Sequence, residues 1–278
     1  MSGKIKLIQN FIRIIIKRII DDSYRNQIKE IKRLKKIPRY QIANTDLMKN
    51  KIEIIDSASF LSAYQAIFDQ QIYEFQATKK NPRIIDGGAN IGLSIIYFKN
   101  LYPDSSIIAF EADPFVFNTL KNNLDNWNIT DVEVHNTALW SEKTTLKFKS
   151  DRADSGRLIN KDNQKYINVK TEKLSAYLEQ PIDFLKLDIE GAETQVLCDC
   201  RHLLCNVNML FVEYHSYCNE KQSVHTIINC LQESGFRLYI HSDHVASKPF
   251  VDSHEHNDID MTLNIFALRK NTIKLTLD

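Results

Sequence analysis

No stretch of this 278-residue chain reaches the roughly eighteen uninterrupted apolar residues of a membrane-spanning helix. Glycine (7) and proline (6) are scarce, which excludes collagen-like and low-complexity classes. The five cysteines show neither zinc-finger spacing nor a secretory leader, so reduced thiols in a cytoplasmic protein are expected. An excess of one charge is missing too: 36 Lys+Arg stand against 35 Asp+Glu. What is present is 43% hydrophobic and 10% aromatic residues, enough for a full core in one large domain or two small ones.

The balanced total conceals an asymmetry. Residues 1–51 hold fourteen Lys/Arg and four Asp/Glu, a net of +10, so the remainder carries −9. This divides the chain into a basic helical arm, 1–51, and a main domain, 52–278. Within the arm, residues 4–20 place Ile5, Ile8, Ile12, Ile15, Ile16 and Ile19 on one helical face, with Phe11 beside them. The simpler reading is a helix packed on the main domain or on a second subunit. The sharper one is an amphipathic helix in peripheral contact with an anionic membrane surface, at the inner face of the membrane. Composition alone leaves both open. A charged helix continues from Asp21 to Pro38.

After a short strand or turn and a helix through Phe60, Tyr64, Ile67 and Phe68, short apolar runs alternate with helical periodicity. Strands are expected at Arg83–Asp86, Ser106–Glu111, Val132–Thr137, Phe184–Asp188, Met209–Glu213, Phe236–Ile240 and Met261–Leu268. Helices are expected at Ile91–Leu101, Pro114–Asn126, Thr171–Glu179, Ala192–Leu204 and Lys221–Ser234. Leu146–Lys149 and Tyr166–Lys170 read as an inserted antiparallel hairpin. The pattern is that of an α/β protein, an open sheet covered by helices, with an N-terminal helical arm.

In such sheets ligands bind outside the carboxyl ends of the strands. The segment IIDGGANIGLSIIYF, residues 84–98, falls where the first strand of the sheet turns into a helix. Asp86, Gly88 and Gly92 give the spacing D-x-G-x-x-x-G, with Gly87, Ala89 and Asn90 completing the turn. A carboxylate in this place repels a pyrophosphate and suits a cationic, amine-bearing ligand such as S-adenosylmethionine. Glu111 ends the next strand, 25 residues after Asp86, where an acidic side chain accepts ribose hydroxyls. Ala112 follows it, and Asn136, Thr137 and Ala138 end the third strand, where an adenine edge is expected.

The segments IIDGGANIGLSIIYF, AFEADP, NTALWSE, DFLKLDIEGAETQVL and FVEYH together resemble the FkbM-type methyltransferases, from about Phe68 to Leu268. The resemblance implies a Rossmann-like class I sheet, mostly parallel with its last strand antiparallel, that uses S-adenosylmethionine. It also implies O-methylation of a hydroxyl on a carbohydrate, glycolipid or related natural product, and hence a small-molecule or glycan acceptor. Residues 1–50 are outside it.

The chemistry is expected at the next two strand ends. Asp188, also adjacent to the methyl donor, and Glu190 are two apart, as are Glu213 and His215. His215 has the intrinsic pKa of a general base near neutrality. Asp188 or Glu190 is the alternative base, or orients the acceptor hydroxyl. A further alternative is Mg²⁺ or a similar cation held by Asp188 and Glu213. His241, His244, His254 and His256 mark an acceptor or lid loop, and Ser155 and Arg157 a contact with donor or acceptor. Tyr73 and Glu74 are placed to reach the methionine end of the donor. Cys198, Cys200 and Cys205 are read as packing residues. No nucleic-acid partner is expected, because the body is acidic and the fourth strand ends in DIEG. A nucleic-acid methyltransferase, or a membrane-attached scaffold with a vestigial donor site, is the alternative.

Overall fold

The computed structural model describes residues 22–150, 156–158, 166–251 and 259–269. The segment at 4–20, Ser155, His254 and His256 lie outside the described residues. The described chain opens with α1 (Asp22–Leu34), whose last residue is buried against the main core. Strands β1 (Ala43–Thr45) and β2 (Ile52–Ile54) pair antiparallel, so residue 51 falls inside a hydrogen-bonded hairpin. Helix α2 (Ser57–Tyr64) starts at Asp56, whose carboxylate accepts the Ser59 N–H. It runs straight into a π-helical turn, Gln65–Asp69.

The alternation expected after Pro82 follows: β3 (Arg83–Gly87), α3 (Leu93–Leu101), β4 (Ser106–Phe110), α4 (Pro114–Asn126) and β5 (Val132–His135). Asp113 caps α4 and Pro114 opens it, the usual chemistry of a helix start. The chain then forms β6 (Ala138–Trp140), β7 (Thr145–Lys149), β8 (Arg157–Leu158) and β9 (Ile167–Lys173). It returns through β10 (Ile182–Leu187), α5 (Glu193–Cys200), β11 (Val207–Tyr217), α6 (Val224–Glu233), β12 (Phe236–Val245) and β13 (Ile259–Arg269).

Seven strands form one sheet in the order β12-β13-β11-β10-β3-β4-β5. All neighbours are parallel except at β13, which runs antiparallel to β11 and β12. Every residue of β10 is buried, as a strand covered on both faces requires. Helices α2, α3 and α4 pack on one face, and α5 and α6 on the other. Among the described residues no helix is long and apolar enough to cross a membrane.

Four expectations change. His241 and His244, expected in a loop, lie in β12 and pair with Asn264 and Thr262 of β13. Of the cysteines read as packing residues only Cys200 is buried, while Cys198 and Cys205 are exposed. The helix expected at Thr171–Glu179 is instead the end of β9 and a short 3-10 turn, Leu174–Tyr177. Val169 and Thr171 point inward while Lys170 points out, a period-2 pattern, and the Thr171 hydroxyl donates to the Glu142 carbonyl. The hairpin of β7 and β9 is present, but within a four-stranded sheet of order β6-β9-β7-β8.

The β1–β2 hairpin and the body are joined through Asn123. Its amide donates to the carbonyls of Glu53 (3.0 Å) and Ile91 (2.9 Å), and its oxygen accepts the Glu53 N–H (2.8 Å). Asn123 is fully buried, so no water replaces these partners. Asn123→Ala is expected to lower the free energy of unfolding by about 2–4 kcal/mol in urea titrations. A midpoint unchanged from the wild type would show that the linkage is not structural.

Candidate active site

Strand order reverses between β3 and β10: after β3 the chain moves to β4 and β5, and later returns on the opposite side. The carboxyl ends of β3, β4, β10 and β11 therefore surround a crevice at the switch point. Lys186 of β10 is in register with Asp86 of β3, and both side chains lie beneath the crevice. The Lys186 ammonium is 3.1 Å from Asp86 Oδ1 and 3.4 Å from Asp188 Oδ2. It also donates to the Gly88 carbonyl at 2.7 Å, and Ser94 donates its hydroxyl to Asp86. Burial works against the charge on Lys186, but Asp86 and then Asp188 outweigh it and hold the ammonium well above the usual lysine range. This alters the role expected for Asp86. Its charge is balanced inside the protein, and the side chain borders neither cavity described below.

The first cavity lies between the ends of β3, β4 and β10 and is bordered by Gly88, Glu111, Thr137, Asp188 and Glu190. Phe148 and Leu158 of the smaller sheet roof it, and Ala112 and Ala138 complete the wall. Gly88 has φ +81°, and a Cβ there would lie 1.8 Å from the Asp188 carbonyl oxygen. Only glycine allows the two strand ends to come this close. Glu111 accepts the backbone N–H of Asn90 (3.0 Å) and of Asp113 (2.8 Å). Desolvation pushes its carboxyl up to about 7, and those two amides oppose the rise. The Thr137 hydroxyl is buried beside it with no hydrogen-bond partner. The cavity thus offers an acceptor for vicinal hydroxyls at Glu111 and an unmet polar atom at Thr137.

Other residues expected at this ligand act behind it. Asn136 donates to the carbonyls of Glu111 (2.9 Å) and Ala112 (3.2 Å) and so fixes the strand end. Gly87 is buried against Leu139 and Leu187, and Gly92 caps α3 at φ +94° over Leu120. Asn90 holds φ +47° between the two glycines. Ala89 faces the second cavity.

That second cavity, about 180 Å³, begins on the other side of Gly88, Asn90 and Asp188, which border both. Tyr73, Lys186, Glu213, Asp243 and Asn264 line one wall, and α2 with its π turn forms the opposite one. Glu74 is not among its lining residues.

Beside this junction His215 is surrounded by carboxylates. Its Nε2 lies 3.5 Å from Glu213 and 3.6 Å from Glu190, and its Nδ1 lies 3.6 Å from Glu193. Burial disfavours the imidazolium, yet Glu190 foremost, then Glu193 and Glu213, raise its pKa well above the usual value. The surrounding carboxylates thus favour the imidazolium form of the residue expected as general base. Burial raises the pKa of both Glu190 and Glu213, against the pull of His215. The Tyr217 hydroxyl donates to Glu190 at 2.9 Å, and the Arg157 guanidinium stacks 3.8 Å from the Tyr217 ring. Glu190 itself stands at φ +54°, an uncommon conformation for a residue with a side chain.

Ligand atoms of Asp188, Glu213 and His215 lie within 4.8 Å of one another. Mg²⁺ prefers oxygen donors in a near-octahedral sphere, and this set contributes an imidazole already opposed by three carboxylates. With Lys186 beside Asp188 as well, positive charge is supplied from within, and the set does not fit Mg²⁺.

Sequence reasoning did not single out Lys186, Glu193, Tyr217 or Asn264. Lys186 had a signal: it is the one basic residue in the otherwise apolar run FLKL. Glu193 accepts the N–H groups of Ile189 (3.1 Å) and Gly191 (3.0 Å) at the start of α5, which its sequence place before a helix permits but does not single out.

Residues 86–238 match the family described as the methyltransferase FkbM domain. Methyltransferase 1 of Beauveria bassiana is 29% identical over 209 residues, covering 64% of this chain and 81% of that protein. Methyltransferase sdnD of Sordaria araneosa is 30% identical over 171 residues, covering 48% of this chain and 66% of that protein. A crystal structure of methyltransferase FkbM from Methylobacillus flagellatus is 15% identical with a TM-score of 0.44, over 69% of this chain and 45% of the other.

Lys186→Met leaves Asp86 and Asp188 without their buried counter-charge. A loss of about 3–5 kcal/mol of stability is expected, with most of it restored in the double variant Asp86→Asn, Lys186→Met. Additive losses in chemical denaturation would show that the two groups do not act as a pair.

Proposed function

This chain belongs to the FkbM methyltransferase family, and from that premise we propose that it uses S-adenosylmethionine to methylate a hydroxyl of a carbohydrate, glycolipid or related natural product. The observation that supports this most directly is the first cavity, with Glu111 and the orphaned Thr137 hydroxyl at one end and Asp188 and Glu190 at the other. Glu111 would hold the ribose and Thr137 a polar edge of the adenosine. Asp188, at the junction of the cavities, would face the positive charge of the donor. When bound, S-adenosylmethionine supplies an electrophilic methyl carbon whose bond to sulfur breaks as the bond to the acceptor oxygen forms.

The remaining work belongs to the chain. An aliphatic hydroxyl must lose its proton as it becomes an ether, and a group beside the second cavity has to take it. Glu213 borders that cavity, and desolvation makes it a stronger base than a free carboxylate. His215 faces it at 3.5 Å. The acidic wall formed by Asp188, Glu213 and Asp243 also disfavours a phosphate-bearing polymer as acceptor.

Calorimetric titration with S-adenosylhomocysteine tests the donor site without an acceptor. Micromolar binding is expected in the wild type, in Mg²⁺ or EDTA alike, and a loss of at least about tenfold in Glu111→Ala. Because the ribose hydroxyls need the ionised carboxylate, affinity should weaken as pH falls through about 7, a dependence that Glu111→Gln lacks. No binding to folded protein would overturn the assignment.

The proton acceptor is tested separately, in turnover of any substrate found by screening glycans. Glu213→Gln should lower kcat by roughly a hundredfold or more while homocysteine-product binding persists. A wild-type rate in that variant would move the role to Asp188 or Glu190.

A further inference from the structure

The second cavity has two unlike walls. On α2 and its π turn, Ser59, Ser62, Ala63 and Ala66 face it at helical spacing i, i+3, i+4 and i+7. Their small side chains leave the space open, and Ile67 and Ile72 continue the wall as an apolar surface. The opposite wall carries mostly hydrogen-bond acceptors, beside Tyr73 and Lys186. Asp188, Glu213 and Asp243 are carboxylates, and Asn264 Oδ1 is an acceptor with no partner in a residue only 8% exposed. The pairing of β12 with β13 slips between Ser242 and His244, so Asp243 sits at a bulge. Bulges of this kind re-aim a side chain, and here the re-aimed carboxylate joins the cavity wall.

Leaving Asn264 Oδ1 buried and unmet is costly unless a ligand donates to it. The ligand must therefore bring several hydrogen-bond donors to one side and an apolar part to the other. The cavity meets the first one at Gly88, Asn90 and Asp188, the place where a second substrate has to approach the first.

We propose that this cavity receives the acceptor, and that it selects a polyhydroxylated ring carrying an apolar group. The ring hydroxyls face Asp188, Glu213, Asp243 and Asn264, and the apolar group lies along the small-residue stripe of α2. The assignment rests on the donor occupying the first cavity. A free sugar lacks the apolar part, and a simple lipid lacks the hydroxyls, so neither fills both walls.

The test uses the full chain with S-adenosylmethionine and three probes: octyl β-glucoside, phenyl β-glucoside and glucose. Formation of S-adenosylhomocysteine is followed, and its binding is measured by calorimetry. Turnover of the substituted glucosides should exceed that of glucose by at least about tenfold in kcat/KM, and Ala66→Phe should remove that advantage. Asn264→Leu, with a side chain of similar size, should weaken turnover of all three probes. In both variants S-adenosylhomocysteine should bind as in the wild type. Equal use of glucose, or no turnover of any probe by protein that binds S-adenosylhomocysteine, would overturn the proposal and leave the donor reading intact. A loss of S-adenosylhomocysteine affinity in Ala66→Phe with 5′-methylthioadenosine binding unchanged would assign the cavity to the amino-acid end of the donor instead. Failure of the wild type to bind S-adenosylhomocysteine would reject the donor reading itself.

Discussion

The buried pair of Asp86 and Lys186 is the constraint on which the crevice depends. The two residues come from strands 100 positions apart in the chain and meet at the point where the sheet reverses its order. Taking both charges out of water is expensive, and the expense is recovered only if their remaining hydrogen-bonding capacity is met. Ser94 on α3 donates to Asp86 Oδ2 while Oδ1 faces the ammonium, and the Gly88 carbonyl of the glycine turn accepts from that ammonium. One ion pair thus ties β3, β10, the turn and the following helix together. It also reaches Asp188, so the strand end that meets the substrates is held from below.

Two non-glycine residues in the left-handed region stand on that base. Asn90 follows the end of β3 and Glu190 the end of β10. Such conformations cost on the order of 1 kcal/mol or more each and persist only where the surroundings enforce them. The Asn90 N–H is directed at Glu111, and the Glu190 carboxylate is held by the Tyr217 hydroxyl. Asn90 borders both cavities and Glu190 the first, and the strain positions acids at each place: Glu111 through the Asn90 amide, and the carboxylate cluster through Glu190.

Much of the fold was legible because buried parallel strands carry a strong signal. Continuous apolar runs such as MLFV at 209–212 have few alternatives, and α4 announces itself with Asp113 and Pro114. Thr171–Glu179 misled because short apolar spacings fit a helix and a strand edge alike until the partner strand is known. At the site, spacing located the strand-end acids but not their charges. Glu190, Glu193 and Glu213 come from a loop, a helix and a neighbouring strand, and only folding gathers them around His215. A histidine read alone looks like a base; three carboxylates around it favour the imidazolium. Asp86 changed role for the same reason, since its partner Lys186 was visible in the sequence but the register that joins them was not.

The charges that remain explain what the site does for binding and what it leaves to positioning. Asp86, Asp188, Glu190, Glu193 and Glu213 outnumber Lys186 and His215, so the crevice favours a cationic ligand. In the donor reading this field strengthens the hold on the sulfonium more than on the neutral thioether that transfer leaves behind. Such a preference fills the site and releases the product. It does not accelerate transfer, because it lowers the ground state as well as the transition state, in which the donor's charge is already fading. Acceleration has to come from bringing the acceptor hydroxyl to the junction at Asp188 and from removing its proton as the new bond forms. That division matches the geometry: Asp86, paired with Lys186, is fixed below the crevice, whereas Glu213 is left open to the second cavity, where a proton must go.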